Sequence, residues 1–595
     1  MARTLAPARQ YVCRLDGANV ARFGAIVDRS GVLDLLTTWR EEDRAAAGKT
    51  NTGGRPRYIS DRTMLIAFLV VATSNSPLHI TRVAGLICAE HTTDTAREAL
   101  GLPTSAEAER VGDAYDKQYT RWYHRAHNAL HRILDVVDLF PDTPTKRRLT
   151  HKELADILDN RDEALVLKRR GRATEFFNRL VWASYEELPE KYRENWKGDV
   201  TVDGTLLKGA YTGTRKLRPG DDPNLVRTSS EPDAAWYVRD GDHRATDKAL
   251  KNAKSEAHWG YEATVIAGVI RDGGAYKQPH LIMGISLDKP GHHIAERAID
   301  AMRHVIADPD APRGTFVGDR AYLYGAHQDK LQLPLLRAGY DLFGDYRDDH
   351  VGKHTHHEGM TMVDGHWYCS AMPKTLMDAT SDFRKGNITA EQYREAIETR
   401  NKYLMRELAA NNGVSRKMVC PGRKEGKTLN CPFVQARERR DAQAKRLPHV
   451  IEAQTDTRFN GERHKCCTNK ASISIPLKVG AKFVQTSHPY KTEAWQRDYG
   501  TFRNVIETRN DLLKNGGANS AGIGDHKRRL VRGFTAAWFF TALGSMVVNI
   551  KLIDGFLFRV AHAIASPTPP PPEPDTPRGR RRVLDTRSNA PPMVA

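Results

Sequence analysis

The sequence predicts an α/β protein: a mixed sheet with helices, an all-α region ahead of it, and a long insertion before the last part of the sheet domain. Three observations carry that reading. Residues 1–140 repeat apolar positions at helical spacing, short β-rich runs crowd into residues 196–345, and an amphipathic helical pattern returns near residue 499.

Residues 1–140 read as mostly helical. Met64 to Val71 is an apolar run too short to span a membrane. Val111, Tyr115, Tyr119, Trp122, Ala126, Leu130, Ile133 and Val137 recur at spacings of three and four, so one long amphipathic helix is expected. Before it, Leu78–Cys88 and Thr92–Leu100 have the lengths of two short helices around a tight turn. That pattern fits a DNA-binding helix-turn-helix or a plain helical subdomain equally well. Residues 141–195 read as a linker, Pro141 to Leu149, and a helical lead-in.

From residue 196 the period changes to that of strands. Five are expected: one from Asp199 closing at Asp203-Gly204, then Tyr261–Ile270, His280–Leu287, Thr315–Asp319 and Asp341–Tyr346. Ala295–Ile306 reads as a helix, and Gly213–Trp259 as a polar surface excursion. Three strands in succession, then helix, strand, helix, strand, is the order of a ribonuclease-H-like sheet. Residues 346–498 form the insertion, in which the capping box Thr389-Ala-Glu-Gln392 should open a helix over Gln392–Leu408. Residues 499–565 complete the sheet domain, and Phe534–Ile550 reads as a buried core helix, a membrane span being the minor alternative. Residues 566–595 are Pro-rich with a run of arginines at 578–582 and cannot bury a core; a disordered basic tail is expected.

The composition narrows the partners. A chain of 595 residues, 40% hydrophobic, holds more than one domain and a substantial core. Its 91 Lys and Arg against 73 Asp and Glu leave a net charge of +18, which favours a polyanion such as nucleic acid. Seven cysteines do not make a disulfide framework at this length, and the N-terminus lacks a signal-peptide core, so a reducing, cytoplasmic setting is expected.

The chemistry concentrates at Tyr499–Lys514. At about 100° per residue, with Arg503 set to 0°, Lys514 falls near 20°, Glu507 near 40° and Tyr499 near −40°. Val505, Ile506, Leu512 and Leu513 take the opposite side. An acid flanked by two cations suits a metal-bound phosphodiester: the acid holds a cation and the bases hold phosphate oxygens. An ordinary surface i, i+4 pair has the same pattern, so the rest of the chain decides. Asp203 and Asp319 each stand at an expected strand end. If those strands are neighbours, both carboxylates emerge at one edge, where Glu507 supplies a third. Three hard oxygen donors suit Mg²⁺ or Mn²⁺, and two such ions would serve in-line attack at phosphorus.

With these residues the chain resembles the DDE transposases of bacterial insertion sequences, in the subgroup with a Tyr-Arg-Glu-Lys signature. Arg503, Glu507 and Lys514 match its spacing, and Tyr499 stands one residue farther from Arg503 than is usual. Val202-Asp203-Gly204-Thr205 and Gly318-Asp319-Arg320-Ala321-Tyr322 look like the family's first and second acid motifs. The resemblance covers about residues 195–555. It implies that Asp203, Asp319 and Glu507 are catalytic and bind Mg²⁺ or Mn²⁺, and that Tyr499, Arg503 and Lys514 contact DNA. It further implies cleavage at transposon ends, strand transfer into target DNA, and a homodimer on double-stranded DNA carrying the terminal inverted repeats. A bacterial, nucleoid-associated location follows, with no membrane partner. Two alternatives stay open: an inactive or domesticated DNA-binding relative, and a ribonuclease-H-like nuclease acting on other nucleic acid. Cys420, Cys431, Cys466 and Cys467, with His464, could form a Zn²⁺ site at spacings unlike a known knuckle. His354-Thr-His-His357 reads as a polar loop.

Overall fold

A computed structural model describes residues 17–49, 57–88, 93–104, 115–209, 212–239, 256–409, 413–423, 426–430 and 472–565. Six strands build the main sheet: β1 Val200–Lys208, β2 Ala235–Arg239, β3 Glu256–Gly268, β4 Ile282–Asp288, β5 Thr315–Gly318 and β6 Asp341–Gly344. The order is β4-β3-β1-β5-β6, with β2 added beside the first half of β3. β3 is antiparallel to both β1 and β4, whereas β1, β5 and β6 are parallel, so the sheet is mixed.

Two strand expectations need correction. β2 lies within the stretch read as a polar excursion. Its alternation of Trp236 and Val238 with polar neighbours is short, and those two side chains stay exposed, so it carries little core signal. Asp203 does not close β1. The strand runs on to Lys208 because β3 pairs with it over its whole length, Val200↔Gly268 to Lys208↔Gly260. What stops near Asp203 is the other neighbour: β5 pairs only at Val200↔Phe316 and Thr201↔Val317. The opening at Asp203 is therefore a missing flank rather than a strand end.

The described helices are α1 Gly17–Arg29, α2 Val32–Ala46, α3 Asp61–Thr73, α4 Ile80–Ile87, α5 Asp94–Ala99, α6 Tyr115–Val137, α7 His151–Asp159, α8 Glu163–Tyr185, α9 Ile294–Ala307, α10 Gln332–Arg337, α11 Lys374–Arg384, α12 Ala390–Asn401, α13 Glu493–Lys514 and α14 Phe534–Ala565, besides single turns. The long helix read from Val111 is described from Tyr115 as α6, Val111 lying outside the described residues, and α4 and α5 are the two short helices of the candidate helix-turn-helix. One apolar cluster extends from Val20 in α1 to Phe556 in α14, so the N-terminal helices and the sheet share a core. Phe68 of α3 meets Phe539 of α14 edge-on at 5.4 Å. α14 is apolar enough to cross a bilayer, yet 89% of its most apolar window is buried in the protein, as expected for a core helix. Inside that helix Asn549 donates to the Ile282 carbonyl and accepts from the Ile282 N–H, both at 2.8 Å, and so satisfies the backbone of that β4 residue.

The insertion contains more structure than expected. Besides α11 and α12 it holds a three-stranded sheet of β7 Lys353–His357, β8 Met360–Val363 and β9 His366–Cys369. A second sheet pairs β10 Arg406–Ala409, β11 Ser415–Val419 and β12 Ile473–Pro476. The capping box is present, Thr389 with Gln392, but α12 ends at Asn401 rather than Leu408. Past that point the chain turns onto β9: the Tyr403 carbonyl accepts from Cys369 N–H, and Met405 N–H donates to Trp367. These tertiary bonds replace the helical ones. His354–His357 is strand β7 rather than a loop, and His354 lies flat on Phe483 at 4.3 Å. Cys420 is buried at the end of β11; Cys431, His464, Cys466, Cys467 and the basic tail lie outside the described residues.

Candidate active site

Helix α13 carries the third acid. Its N-cap is Thr492, which accepts from Trp495 N–H, so the helix includes Gly500 and Tyr499. Val505, Ile506 and Leu513 are buried, and Leu512 is half-buried, as the helical wheel places them. Arg271 fixes the helix against the sheet. It pairs with Asp498 at 3.2 Å and with Asp199 at 2.8 Å, and Asp199 in turn accepts from Thr315 N–H at 2.8 Å. One guanidinium thus joins the starts of β1 and β5 to α13.

Asp203 stands in β1 two residues beyond its last pair with β5, and Asp319 directly follows β5, two residues beyond the same pair. Asp319 caps a single helical turn, accepting from Ala321 N–H at 2.9 Å and Tyr322 N–H at 3.2 Å. Arg503 reaches two acids at once: 3.1 Å to Glu507 and 3.7 Å to Asp203. Asn510 donates to the other oxygen of Asp203 at 3.3 Å. Asn510 lies seven residues from Arg503, about −20° around the same stripe. Two turns of helix were enough to find it, but an amide in a charged stripe gives no signal in charge patterning.

Burial pushes the Asp203 carboxyl up to about 6; Arg503 opposes the shift, and Asp319 and Glu507 add to it. Arg503 is its mirror image. Burial works against its charge, but Asp203, Tyr499, Asp319 and Glu507 hold its proton more tightly than usual. A fourth acid shares the field: burial raises Glu262, the Gly291 N–H lowers it, and Asp203 and Asp319 raise it further. So Asp203 and Arg503 each lie within electrostatic reach of both Asp319 and Glu507. Among the described residues, however, no three ligand-type side chains stand close enough together to hold an ion as placed. Arg503 is the cation between two of them.

Tyr499 stacks on Trp495 at 4.8 Å and meets Phe343 edge-on at 6.1 Å, one turn before Arg503. Burial raises its phenol above the ordinary range. Lys514 is the last residue of α13, half-buried, two turns beyond Glu507.

The donor chemistry of the three acids fits a hard divalent cation. Asp203 supports that fit independently, since its raised pKa marks a carboxylate that Arg503 alone compensates incompletely. The same strain gives a prediction. Above pH 6 Asp203 is ionised in the folded and unfolded states, and ionising it in the fold costs roughly 3 kcal/mol. Below the unfolded value near 4 it is neutral in both. Asp203→Asn is therefore expected to raise thermal stability at pH 7 by about 1–3 kcal/mol, with the gain fading as pH falls from 6 to 4. Melting curves across that range check it; a gain that grows toward low pH contradicts the assignment.

Gly204 has a steric reason. A Cβ there would lie 2.1 Å from Glu262 Oε1 and 3.2 Å from the Tyr322 hydroxyl. Gly291 N–H holds Glu262 at 2.6 Å, which limits its retreat. Gly204→Ala is expected to cost about 1–3 kcal/mol in denaturant unfolding, the usual scale of overpacking. Glu262→Ala in the same background should recover most of it.

Comparison of the chain with protein-family models, with curated proteins and with solved structures gives no significant match.

Proposed function

We propose that this chain is a DDE transposase that cleaves DNA at transposon ends and joins them to target DNA. One observation carries the reading. Asp203 in β1 and Asp319 just past the parallel neighbour β5 each stand two residues beyond the last β1–β5 pair, and on α13 Glu507 shares the arginine that reaches Asp203. The strand order β4-β3-β1-β5-β6 is that of a ribonuclease-H-like sheet with β2 added, and it supports the same reading.

Asp203, Asp319 and Glu507 would hold Mg²⁺ or Mn²⁺, which when bound supplies a polarised water or 3′-hydroxyl and charge neutralisation at the leaving oxygen. Arg503 turns from the carboxylates to a phosphate of the cleaved strand, and the exposed side of Glu507, 59% accessible, faces the incoming backbone. Lys514 meets the backbone farther along the helix. Tyr499, rigidly stacked on Trp495, offers an aromatic edge to the nucleotide at the break. The excess of positive charge draws the duplex in.

The test is cleavage of linear DNA carrying the inverted repeats that flank the coding sequence, in Mg²⁺ and in Mn²⁺. Nicking or double-strand cleavage at the repeat ends supports the reading. Tight repeat binding with no cleavage under either ion supports the inactive DNA-binding alternative instead.

A further inference from the structure

β6 ends on an acid as β5 does. Asp345 follows Gly344 directly, so the parallel strands β5 and β6 both lead into carboxylates at the same sheet edge. Asp345 is held by four donors of the protein itself. Its Oδ1 accepts from the Tyr490 hydroxyl at 2.6 Å, from Lys491 Nζ at 3.0 Å and from Tyr346 N–H at 3.1 Å. Its Oδ2 accepts from Arg320 Nη2 at 3.1 Å. Three donors crowd onto Oδ1 and a guanidinium ties Oδ2, so protein contacts hold the carboxylate from both oxygens. The residue is 3% exposed and Lys491 is 7% exposed, so the pair is held in a desolvated setting where its geometry is exacting.

The identity of the partners gives this cluster its meaning. Arg320 is the residue after Asp319. Lys491 is the residue before Thr492, the N-cap of α13, and sits at φ 64°, a backbone conformation that lysine rarely adopts. Its ammonium also lies over the Trp495 ring at 4.3 Å. Tyr490 accepts from Arg384 of α11 at 2.7 Å, and Arg384 pairs with Asp348 at 2.6 Å. Asp345 is thus the point where the turn bearing Asp319, the start of the helix bearing Glu507, and the insertion all meet.

We infer that Asp345 is a positioning residue, which fixes the Asp319 turn against the start of α13 so that Glu507 faces Asp203. The inference rests on the proposed role of those three acids. It also gives the insertion a function: by docking α11 onto Tyr490 it completes the clamp.

The test uses the full chain, with Mn²⁺ as the probe and the free-ion paramagnetic resonance signal as the readout. Asp345→Asn should keep the parental circular dichroism and DNA affinity, raise the half-saturating Mn²⁺ concentration about tenfold, and slow end cleavage by a similar factor. Lys491→Met should do the same, and the double variant should be no worse than either single one, because both act through one contact. Should Asp345→Asn fail to fold, Tyr490→Phe and Arg320→Gln each remove one of its four donors and should shift the midpoint about threefold. A lower melting temperature with an unchanged Mn²⁺ midpoint overturns the inference and leaves Asp345 a purely structural acid. Asp203→Asn separates the two levels. If it abolishes Mn²⁺ binding while Asp345→Asn leaves it intact, the acid site stands and this inference falls; if it binds Mn²⁺ like the parent, both fall.

Discussion

Asp203→Asn, Asp319→Asn and Glu507→Gln are each expected to cut single-turnover cleavage of end DNA by about a thousandfold or more, with DNA affinity changed less than about threefold. The size follows from how the three acids work. Each amide keeps the shape of its parent and removes one negative charge from a site proposed to gather cations. Groups acting as one unit lose nearly everything when any member goes, so the double variants should be barely worse than the single ones. The three differ in what else they change. Asp203 is strained in the free fold, so its amide stabilises the protein; Asp319 caps a helical turn through two N–H donors, and its amide keeps an acceptor oxygen for them. Glu507 is mostly exposed, and its amide should leave stability within about 0.5 kcal/mol. Cleavage, repeat binding and melting temperature measured on the same three preparations check this pattern. Any one of them cutting at the parental rate removes its residue from the site.

Much of this arrangement was legible in the residues. The five expected strands of the sheet are present, because each is a short β-branched or apolar run bounded by Gly, Pro or Asp. The stripe on α13 is legible because a helix turns by a fixed angle, and the structure joins Arg503 to Glu507 and Asp203 as that angle allows. Other parts depend on contacts between distant segments and leave no local trace. β2 is exposed on one side, so it lacks the buried alternation that announces a strand. The end of α12 is set by β9, which lies more than thirty positions earlier in the chain. Asp345, Lys491 and Arg320 stand far apart in sequence, and each is unremarkable alone; their meeting exists only in the fold. Asn510 was within reach of the wheel but carries no charge to mark it. Arg509 faces the core side, where burial lowers its pKa to about 10 and it donates to the His280 carbonyl at 2.5 Å; no charge pattern predicts a buried arginine served by a carbonyl.

Arg503→Ala is expected to move metal and DNA binding in opposite directions. In the free protein its guanidinium lies against Asp203 and Glu507, the two acids that a divalent cation would share with Asp319. The Glu507 contact is shorter, but it is solvent-exposed and contributes little. The Asp203 contact is longer, but it is largely desolvated, with that side chain 19% exposed, and Coulomb attraction there is screened far less. Removing the guanidinium therefore leaves Asp203 short of its main counter-charge and should tighten Mn²⁺ binding to the free protein by about tenfold, the equivalent of about 1.4 kcal/mol. The same change removes one proposed phosphate contact. The slope of log affinity for end DNA against log salt should fall by about one, and cleavage should drop about a hundredfold, on the scale of losing one charge-stabilising donor. In the parent, DNA should in turn strengthen Mn²⁺ binding, because a phosphate that takes Arg503 releases both carboxylates; linkage requires the converse, that Mn²⁺ strengthens DNA binding. In Arg503→Ala that mutual gain should vanish. Mn²⁺ titrations with and without end DNA measure all of these quantities. Weaker Mn²⁺ binding by the alanine variant would show that Arg503 holds the acids together for the ion instead of competing with it.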